Sequence, residues 1–282
     1  ESDCVVLAGV PCDFRLDYGK HVRRQATLIA ANRSAADARL NRTPTITADG
    51  DASAFLERLA ERTGDRARRS EWIATLRERD DAREKGIDAQ AAAPASVTAA
   101  DGGAEAEAGP FVNPVAFFRA LERVASPEAV FVADGGDFVA TGSYILHPRA
   151  PLTWLDPGVF GTLGVGAGFA AGALTARPSS ELWLLWGDGA SGYGLAEFDT
   201  FVRHGLPVIA VVGNDAGWTQ IAREQVKMLK DDVGTVLART AYHDVARGFG
   251  AEGIEVQRTE DVEPALLKAR QLCAAGRPVL IN

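Results

Sequence analysis

The chain has 282 residues, enough for one large or two ordinary domains, and hydrophobic residues make up 46% of it, enough to build a core. Its formal net charge of −8 argues against a nucleic-acid surface, which requires clustered lysine and arginine. The charge does not exclude a small anionic ligand, because backbone amides and a metal ion bind anions without a basic patch.

The three cysteines, Cys4, Cys12 and Cys273, are scattered and form no CxxC pair. This spacing argues against a cysteine-based zinc site and favours a reducing compartment. No apolar run reaches the ~18 residues needed to span a bilayer. The sequence begins directly before one strand-like run and stops inside another, so we expect a segment of a longer protein.

Residues 1–62 are typical of the end of an α/β layer. The short apolar runs Val5–Gly9 and Thr27–Asn32 predict strands. Phe55, Leu56 and Leu59 recur at helical spacing and predict a helix after them.

Residues 63–110 lose this pattern. A charged, exposed helix is predicted from Trp72 to Lys85. The following stretch, Ala89–Pro110, is rich in alanine, glycine, acidic residues and proline, and it cannot bury enough apolar surface to offset its ordering entropy. We interpret this stretch as a flexible linker.

Residues 111–282 alternate between strands and helices, which predicts an α/β domain with a doubly wound parallel sheet. The predicted strands are Val130–Ala133, Leu182–Trp186, Pro207–Val212, a run near Ile254–Val256, and Pro278–Asn282. The predicted helices are Gly164–Ala176, Tyr193–His204, a turn or two around Val245–Phe249, and Ala265–Cys273.

Three consecutive strands of this domain end in glycine-rich turns that carry an acid: Asp134, Asp188 and Asp215. Ligands bind at the carboxyl ends of strands in open parallel sheets. Asn214 and Asp215 follow Asp188 by 26 and 27 residues, so we expect oxygen donors on neighbouring strand ends. Such donors suit Mg²⁺, with the phosphate oxygens of a diphosphate completing the coordination.

The motif Gly187-Asp188-Gly189, followed after a helix and a strand by Gly213-Asn214-Asp215, resembles the thiamine-diphosphate-binding motif of the acetolactate synthase superfamily. The longer runs resemble one branch, the acetolactate synthase-like 2-hydroxyacyl-CoA lyases: Trp154–Gly158, Phe160–Gly168, Glu197–His204 and Gly213–Ile221. Asp13–Leu16 with Tyr18-Gly19 fits the central domain of the same group, so residues 1–62 are assigned to the end of that domain.

The resemblance implies a set of site residues. The metal ligands are Asp188, the backbone oxygen of Gly217, and either Asp215, which the register favours, or Asn214, which has the residue type usual in the family. The loop Gly135–Phe138 closes over the diphosphate, and Leu163 is the apolar wedge that bends the cofactor. All residues expected at the cofactor are Gly136, Asp137, Phe138, Gly161, Leu163, Gly187, Asp188, Gly189, Ala190, Asn214 and Asp215. Trp218, Thr219 and Gln220 either line the substrate pocket or serve packing.

The resemblance also implies an activity. The whole protein is expected to be a lyase that cleaves a 2-hydroxyacyl-CoA to a shortened aldehyde and formyl-CoA, with acetolactate-type condensation of 2-oxo acids as the alternative. A catalytic glutamate is expected on a pyrimidine-binding domain outside this chain, so the chain alone should be inactive. A homodimer or homotetramer is expected, in the cytoplasm or anchored to the endoplasmic reticulum by a segment outside this chain. The alternative from a different functional class is a non-catalytic nucleotide-binding α/β domain.

Overall fold

The computed structural model describes residues 2–63, 70–94 and 111–282. Contacts divide the chain into two units, Glu1–Arg77 and Glu78–Asn282, and each unit is described by itself. Residues 95–110, which form most of the predicted linker, lie outside the described part of the chain.

The first unit is a parallel three-stranded sheet in the order β1-β2-β3, with its core around Leu28, Ala30 and Ala31. Its elements are β1 (Cys4–Ala8), β2 (Thr27–Asn32), α1 (Ala35–Ala38), β3 (Ile46–Asp49), α2 (Ala52–Thr63) and the start of α3 (Ser70–Ala92). Strand β3 was not predicted, because it is a short edge strand whose first residue, Ile46, is exposed and whose other residues give no apolar run.

Helix α3 runs beyond the predicted end at Lys85 and takes in the first residues assigned to the linker. Two contacts of the second unit explain the extension. Ile87 is buried in that unit's core, and the Asn113 side-chain amide donates to the carbonyls of Gln90 and Ala93 at the helix end. Tertiary burial therefore orders a sequence whose composition alone indicates a linker.

The second unit contains a six-stranded parallel sheet in the order β5-β4-β6-β7-β9-β8, flanked by helices, which confirms the predicted α/β fold class. The strands are β4 (Val130–Asp134), β5 (Trp154–Leu155), β6 (Leu182–Gly187), β7 (Val208–Gly213), β8 (Glu252–Ile254) and β9 (Val279–Ile281). The helices are α4 (Pro114–Val124), α5 (Asp137–Ile145), α6 (Gly166–Ala176), α7 (Asp188–Ser191), α8 (Phe198–His204), α9 (Thr219–Leu229), α10 (Tyr242–Gly248) and α11 (Val262–Ala274).

Both faces of this sheet are buried, which is why its central strands are continuous apolar runs. Alternate residues of β6 point to opposite cores: Trp183 and Leu185 to the first, Leu182, Leu184 and Trp186 to the second. The first core is covered mainly by α4, α5 and α11, and the second by α6, α8 and α10.

Several elements differ from the sequence prediction. The predicted helix Tyr193–His204 is a turn followed by a short 3-10 helix and then α8, because two glycines, Gly192 and Gly194, precede its apolar stripe. No residue ranges were predicted for helices α4, α5 and α9. Among the described residues, no helix combines the length and apolar character needed to cross a bilayer.

Candidate cofactor site

The three acid-bearing strand ends are neighbours in the sheet, as predicted. Asp134 lies opposite Trp186 on β6, and Gly187 lies opposite Gly213 on β7. The chain passes from β4 outward to β5 and then returns to the other side of β4 with β6. The strand order therefore changes direction between β4 and β6, which is where open α/β sheets form a ligand crevice.

Asp134 at the end of β4 has a structural role. Its carboxylate is completely buried and accepts hydrogen bonds from the amides of Gly164 (3.1 Å) and Gly166 (2.8 Å) and from the indole of Trp186 (3.2 Å). A Cβ on Gly166 would come within 2.7 Å of the Asp134 Cβ, so glycine is needed for this approach. Asp134 thus fixes the loop between β5 and α6 to the sheet.

Asp188 directly follows β6 and is 3% exposed. Its Oδ1 accepts from the Gly189 amide (2.8 Å), and its Oδ2 accepts from the Gly217 amide (3.0 Å) on the loop after β7. Burial, followed by the negative charge of Asp215, raises the pKa of Asp188 to about 6, although these amides act in the opposite direction. A buried carboxylate that faces another carboxylate is poorly compensated by the protein alone.

Asp215 is the acid whose negative charge raises the pKa of Asp188. Burial of its carboxylate among protein atoms is the largest cause of its raised pKa, although the residue as a whole is exposed to solvent. The Thr219 hydroxyl and the Gly217 amide lower the pKa of Asp215, whereas the charge of Asp137 raises it. Because the Gly217 amide is within hydrogen-bonding reach of both acids, the structure brings Asp188 and Asp215 together.

Asn214, the alternative metal ligand, is oriented differently. Its side-chain nitrogen donates to the Thr240 carbonyl (3.0 Å) and to the Asn282 side chain (3.1 Å), toward β9. Its side-chain oxygen is buried without a hydrogen-bond partner. These contacts place Asp215 on the side of the loop that faces Asp188 and Asn214 on the side that faces β9.

This donor set fits Mg²⁺. Across residues 2–63, 70–94 and 111–282, no group of three or more His, Cys, Asp or Glu side chains is arranged to hold a metal. A magnesium ion bridging protein and diphosphate needs only one or two carboxylates, however, since phosphate oxygens and water complete its shell. A dication between Asp188 and Asp215 would also relieve the repulsion that raises the Asp188 pKa.

Glycines around the two acids allow close approaches that any side chain would block. A Cβ on Gly189 would lie 2.6 Å from the ring of Trp218, which covers this turn. A Cβ on Gly135 would lie 2.8 Å from the Gly187 amide, so the ends of β4 and β6 are in backbone contact. Glycine backbone at strand ends in such a crevice suits a diphosphate, which binds to amide groups.

The remaining predicted residues divide between backbone and side-chain positions. The Phe138 ring packs in the first core, 4.7 Å from Phe118 and 5.7 Å from Phe117 between ring centres, so only its backbone is placed for a ligand. The Ala190 side chain is likewise buried, in the second core. The first amides of α5, at Asp137 and Phe138, have no acceptor within the helix because of their position.

Gly161 and Leu163 lie on the loop that Asp134 anchors. Gly161 has left-handed backbone geometry (φ 57°), and its surface is exposed. Leu163 is half-buried and packs partly against the second core, so its side chain has both a packing and an exposed surface.

Sequence reasoning missed two residues of the site. Arg223 pairs with Asp137, and the Tyr242 hydroxyl lies 3.5 Å from the Asp188 carbonyl. Thr219, predicted to line the substrate pocket or to serve packing, lies at Asp215 and lowers the pKa of that acid. Nothing in the sequence joins Asp137 to Arg223, which are 86 residues apart.

Comparisons with known proteins identify the family of the chain. Residues 134–282 match the family described as thiamine pyrophosphate enzyme, C-terminal TPP binding domain. The whole chain is 45% identical to 2-hydroxyacyl-CoA lyase 2 of Mus musculus and 43% identical to that of Homo sapiens, in each case over 44% of the relative. It is 31% identical to a probable acetolactate synthase of Mycobacterium bovis, over 48% of that protein.

A solved structure shows the same fold. The thiamine diphosphate-dependent 4-hydroxybenzoylformate decarboxylase of Rhodococcus jostii RHA1 matches with a TM-score of 0.72 and 21% identity, over 99% of this chain and 48% of the other. The chain thus spans less than half the length of the relatives it matches. Because the family match covers more than half of the chain, the chain belongs to the thiamine pyrophosphate enzymes, whose cofactor is thiamine diphosphate with Mg²⁺ as the usual metal, and it carries their C-terminal cofactor-binding domain.

Proposed function

We propose that the complete protein is a thiamine-diphosphate-dependent carbon–carbon lyase that acts on 2-hydroxyacyl-CoA. The observation that carries this proposal is the identity of 36–45% over the whole chain to proteins named 2-hydroxyacyl-CoA lyase 2 from six animals. The acetolactate synthase relatives reach 31% over the same chain.

The role proposed for this chain is to bind the metal and the diphosphate. Asp188 and Asp215 hold Mg²⁺ by their side chains, and the Gly217 carbonyl is the third protein ligand. The amides of Gly189 and of the first turn of α5 bind phosphate oxygens. Support comes from the mutual approach of the two acids and from the close backbone approach of the glycines at the strand ends.

In the proposed reaction, the bond between C1 and C2 of the 2-hydroxyacyl-CoA breaks. C2 leaves with its hydroxyl as an aldehyde one carbon shorter, and C1 leaves as formyl-CoA, so the atoms balance without an oxidant. When bound, thiamine diphosphate supplies the carbanion at its thiazolium ring that accepts and releases the acyl carbon. The glutamate that activates the cofactor is proposed to lie outside residues 1–282.

The assay for this function offers the complete protein, with Mg²⁺ and thiamine diphosphate, either a 2-hydroxyacyl-CoA or pyruvate. We expect formyl-CoA and the shortened aldehyde from the first substrate, and no acetolactate from the second. Acetolactate as the dominant product would instead establish the condensation of 2-oxo acids as the activity. Loss of activity and of Mg²⁺-dependent cofactor binding in Asp188→Ala separates a catalytic protein from a non-catalytic nucleotide-binding domain.

Assembly and location are part of the proposal. Members of the family act on small molecules and are typically oligomeric, and we propose a homodimer or homotetramer acting on an acyl-CoA. Mass measurement of the complete protein in solution tests the assembly. The cytoplasm and the endoplasmic reticulum membrane both stay predictions, which fractionation of cells distinguishes.

A further inference from the structure

Arg223 on α9 forms an ion pair across the site with Asp137, the first residue of α5. Both guanidinium nitrogens of the fork face the carboxylate, with Nη1 3.4 Å from Oδ1 and Nη2 in closer contact with Oδ2. The side chains are half-exposed, at 52% for Arg223 and 32% for Asp137. A pair this exposed contributes little to folding stability, so its place at the site invites a functional explanation.

The pair joins the start of α5 to α9, the helix that follows the loop with Asp215 and Gly217. Next to Asp137, Gly136 lies so close to Gln220 that a Cβ on the glycine would overlap the Gln220 side-chain oxygen. Gln220 is in the first turn of α9, one turn before Arg223. The start of α5 therefore rests against the start of α9 through a backbone contact and an ion pair.

The positive charge of Arg223 offsets one of several negative charges that acids place at this site. Asp137, Asp188 and Asp215 form one group of acids, since the charge of Asp215 raises the pKa of Asp188 and the charge of Asp137 raises the pKa of Asp215. A diphosphate adds further negative charge, and Mg²⁺ offsets only part of the total. An unpaired carboxylate at position 137 would repel the diphosphate directly at the amides of α5.

We propose that Arg223 is a positioning residue for the cofactor: by pairing with Asp137 it neutralises that carboxylate beside the amides of α5 where the diphosphate binds. This inference rests on the proposed binding of Mg²⁺-diphosphate by Asp188 and Asp215. Arg223 acts through Asp137 and does not itself contact the phosphates.

The test is a double-mutant cycle in the complete protein, freed of cofactor and titrated with thiamine diphosphate in the presence of Mg²⁺. We expect Arg223→Gln to weaken binding about fivefold, because it leaves Asp137 unpaired. Asp137→Asn alone should bind as well as the unchanged protein or better. The double variant Asp137→Asn with Arg223→Gln should return to within about twofold of the unchanged protein, since no uncompensated charge remains.

Further arms make the outcome decisive. Arg223→Lys should recover part of the affinity, and the loss in Arg223→Gln should shrink as salt is raised, because exposed charges are screened. The melting temperature of the cofactor-free protein should stay the same in all variants. The matched control is Arg203→Gln, which breaks a similarly exposed pair with Asp199 on α8 and should leave binding unchanged.

Two results would overturn the inference. If the double variant binds as weakly as Arg223→Gln, then Arg223 contacts the phosphates itself. If Asp137→Asn weakens binding as much as Arg223→Gln, the pair acts only as a structural link. Failure of the unchanged protein to bind Mg²⁺ and thiamine diphosphate would instead refute the proposed function.

Discussion

The ends of β4 and β6 carry buried aspartates of opposite character. Asp134 has backbone and indole N–H donors around its carboxylate. Asp188 has two amides but faces Asp215, and its pKa is raised to about 6. A glycine-rich turn with an aspartate therefore forms an internal anchor on one strand and the proposed cation site on the next.

The difference teaches that the partners of a buried acid, rather than the turn that carries it, decide its role. A carboxylate whose lone pairs are satisfied by N–H groups stabilises the fold around it. A carboxylate held next to a second one keeps an electrostatic cost that only a proton or a cation removes. Each prediction below tests one side of this contrast.

The largest effect is expected from Asp134→Ala. This change leaves the amides of Gly164 and Gly166 and the Trp186 indole buried without an acceptor, so we expect a loss of about 4 kcal/mol of unfolding free energy. Urea denaturation of the cofactor-free protein measures it. The control is Asp49→Ala, which removes an exposed acid at the end of β3 and should cost under ~0.5 kcal/mol.

Asp188→Asn should act in the opposite direction on the cofactor-free protein. The folded pKa of about 6 lies above the ordinary 3.8, so the folded state keeps a proton between these values that the unfolded state has lost. Stability contributed by the protonated acid is complete below pH 3.8 and is lost as the pH rises through 6. Removing the charge should therefore stabilise the protein by up to ~3 kcal/mol at pH 8, and by little at pH 4.

The same variant should lose the stabilisation that Mg²⁺ and thiamine diphosphate give to the unchanged protein. Melting curves with and without both ligands, at pH 8 and at a pH near 4, measure the two effects together. A variant that melts lower than the unchanged protein at pH 8 without cofactor would show that Asp188 is a satisfied structural acid like Asp134.

The smallest effect separates the two residues after β7. Asp215→Ala should weaken Mg²⁺-dependent binding of thiamine diphosphate about tenfold, or ~1.4 kcal/mol, through loss of a ligand. Asn214→Ala removes hydrogen bonds to Thr240 and Asn282 and should lower stability while leaving the Mg²⁺ dependence unchanged. Calorimetric titration decides the assignment, and a larger loss of binding in Asn214→Ala would move the ligand to Asn214.

Much of the second unit was predictable because both faces of its sheet are buried. The apolar runs of β6 and β7 and the spacing from Asp188 to Asp215 indicated adjacent strand ends, which the pairing of Gly187 with Gly213 confirms. No range was predicted for helix α9, although Ala222, Val226 and Leu229 recur at helical spacing in its sequence. That signal was overlooked.

Other parts of the site were not predictable from spacing. Helix α5 begins in a glycine turn and contains Gly142, so its sequence resembles a loop, although Phe118 packs against that glycine. The inward position of the Phe138 ring follows from the neighbouring Phe117 and Phe118. Helix α4, in contrast, has a clear signal in its Asn113 cap, Pro114 and apolar periodicity, and it was overlooked.

The position of β9 between β7 and β8 has a consequence for synthesis on the ribosome. By the time Asp215 has been made, β4, β6 and β7 can already pair, whereas β7 still has a bare edge. Within the described strands β8 bonds only to β9, so it waits for Val279–Ile281 to emerge before it can join. A nascent chain can thus expose an apolar, unpaired strand edge while the proposed metal ligands are already assembled, which is the interval when chaperones matter most.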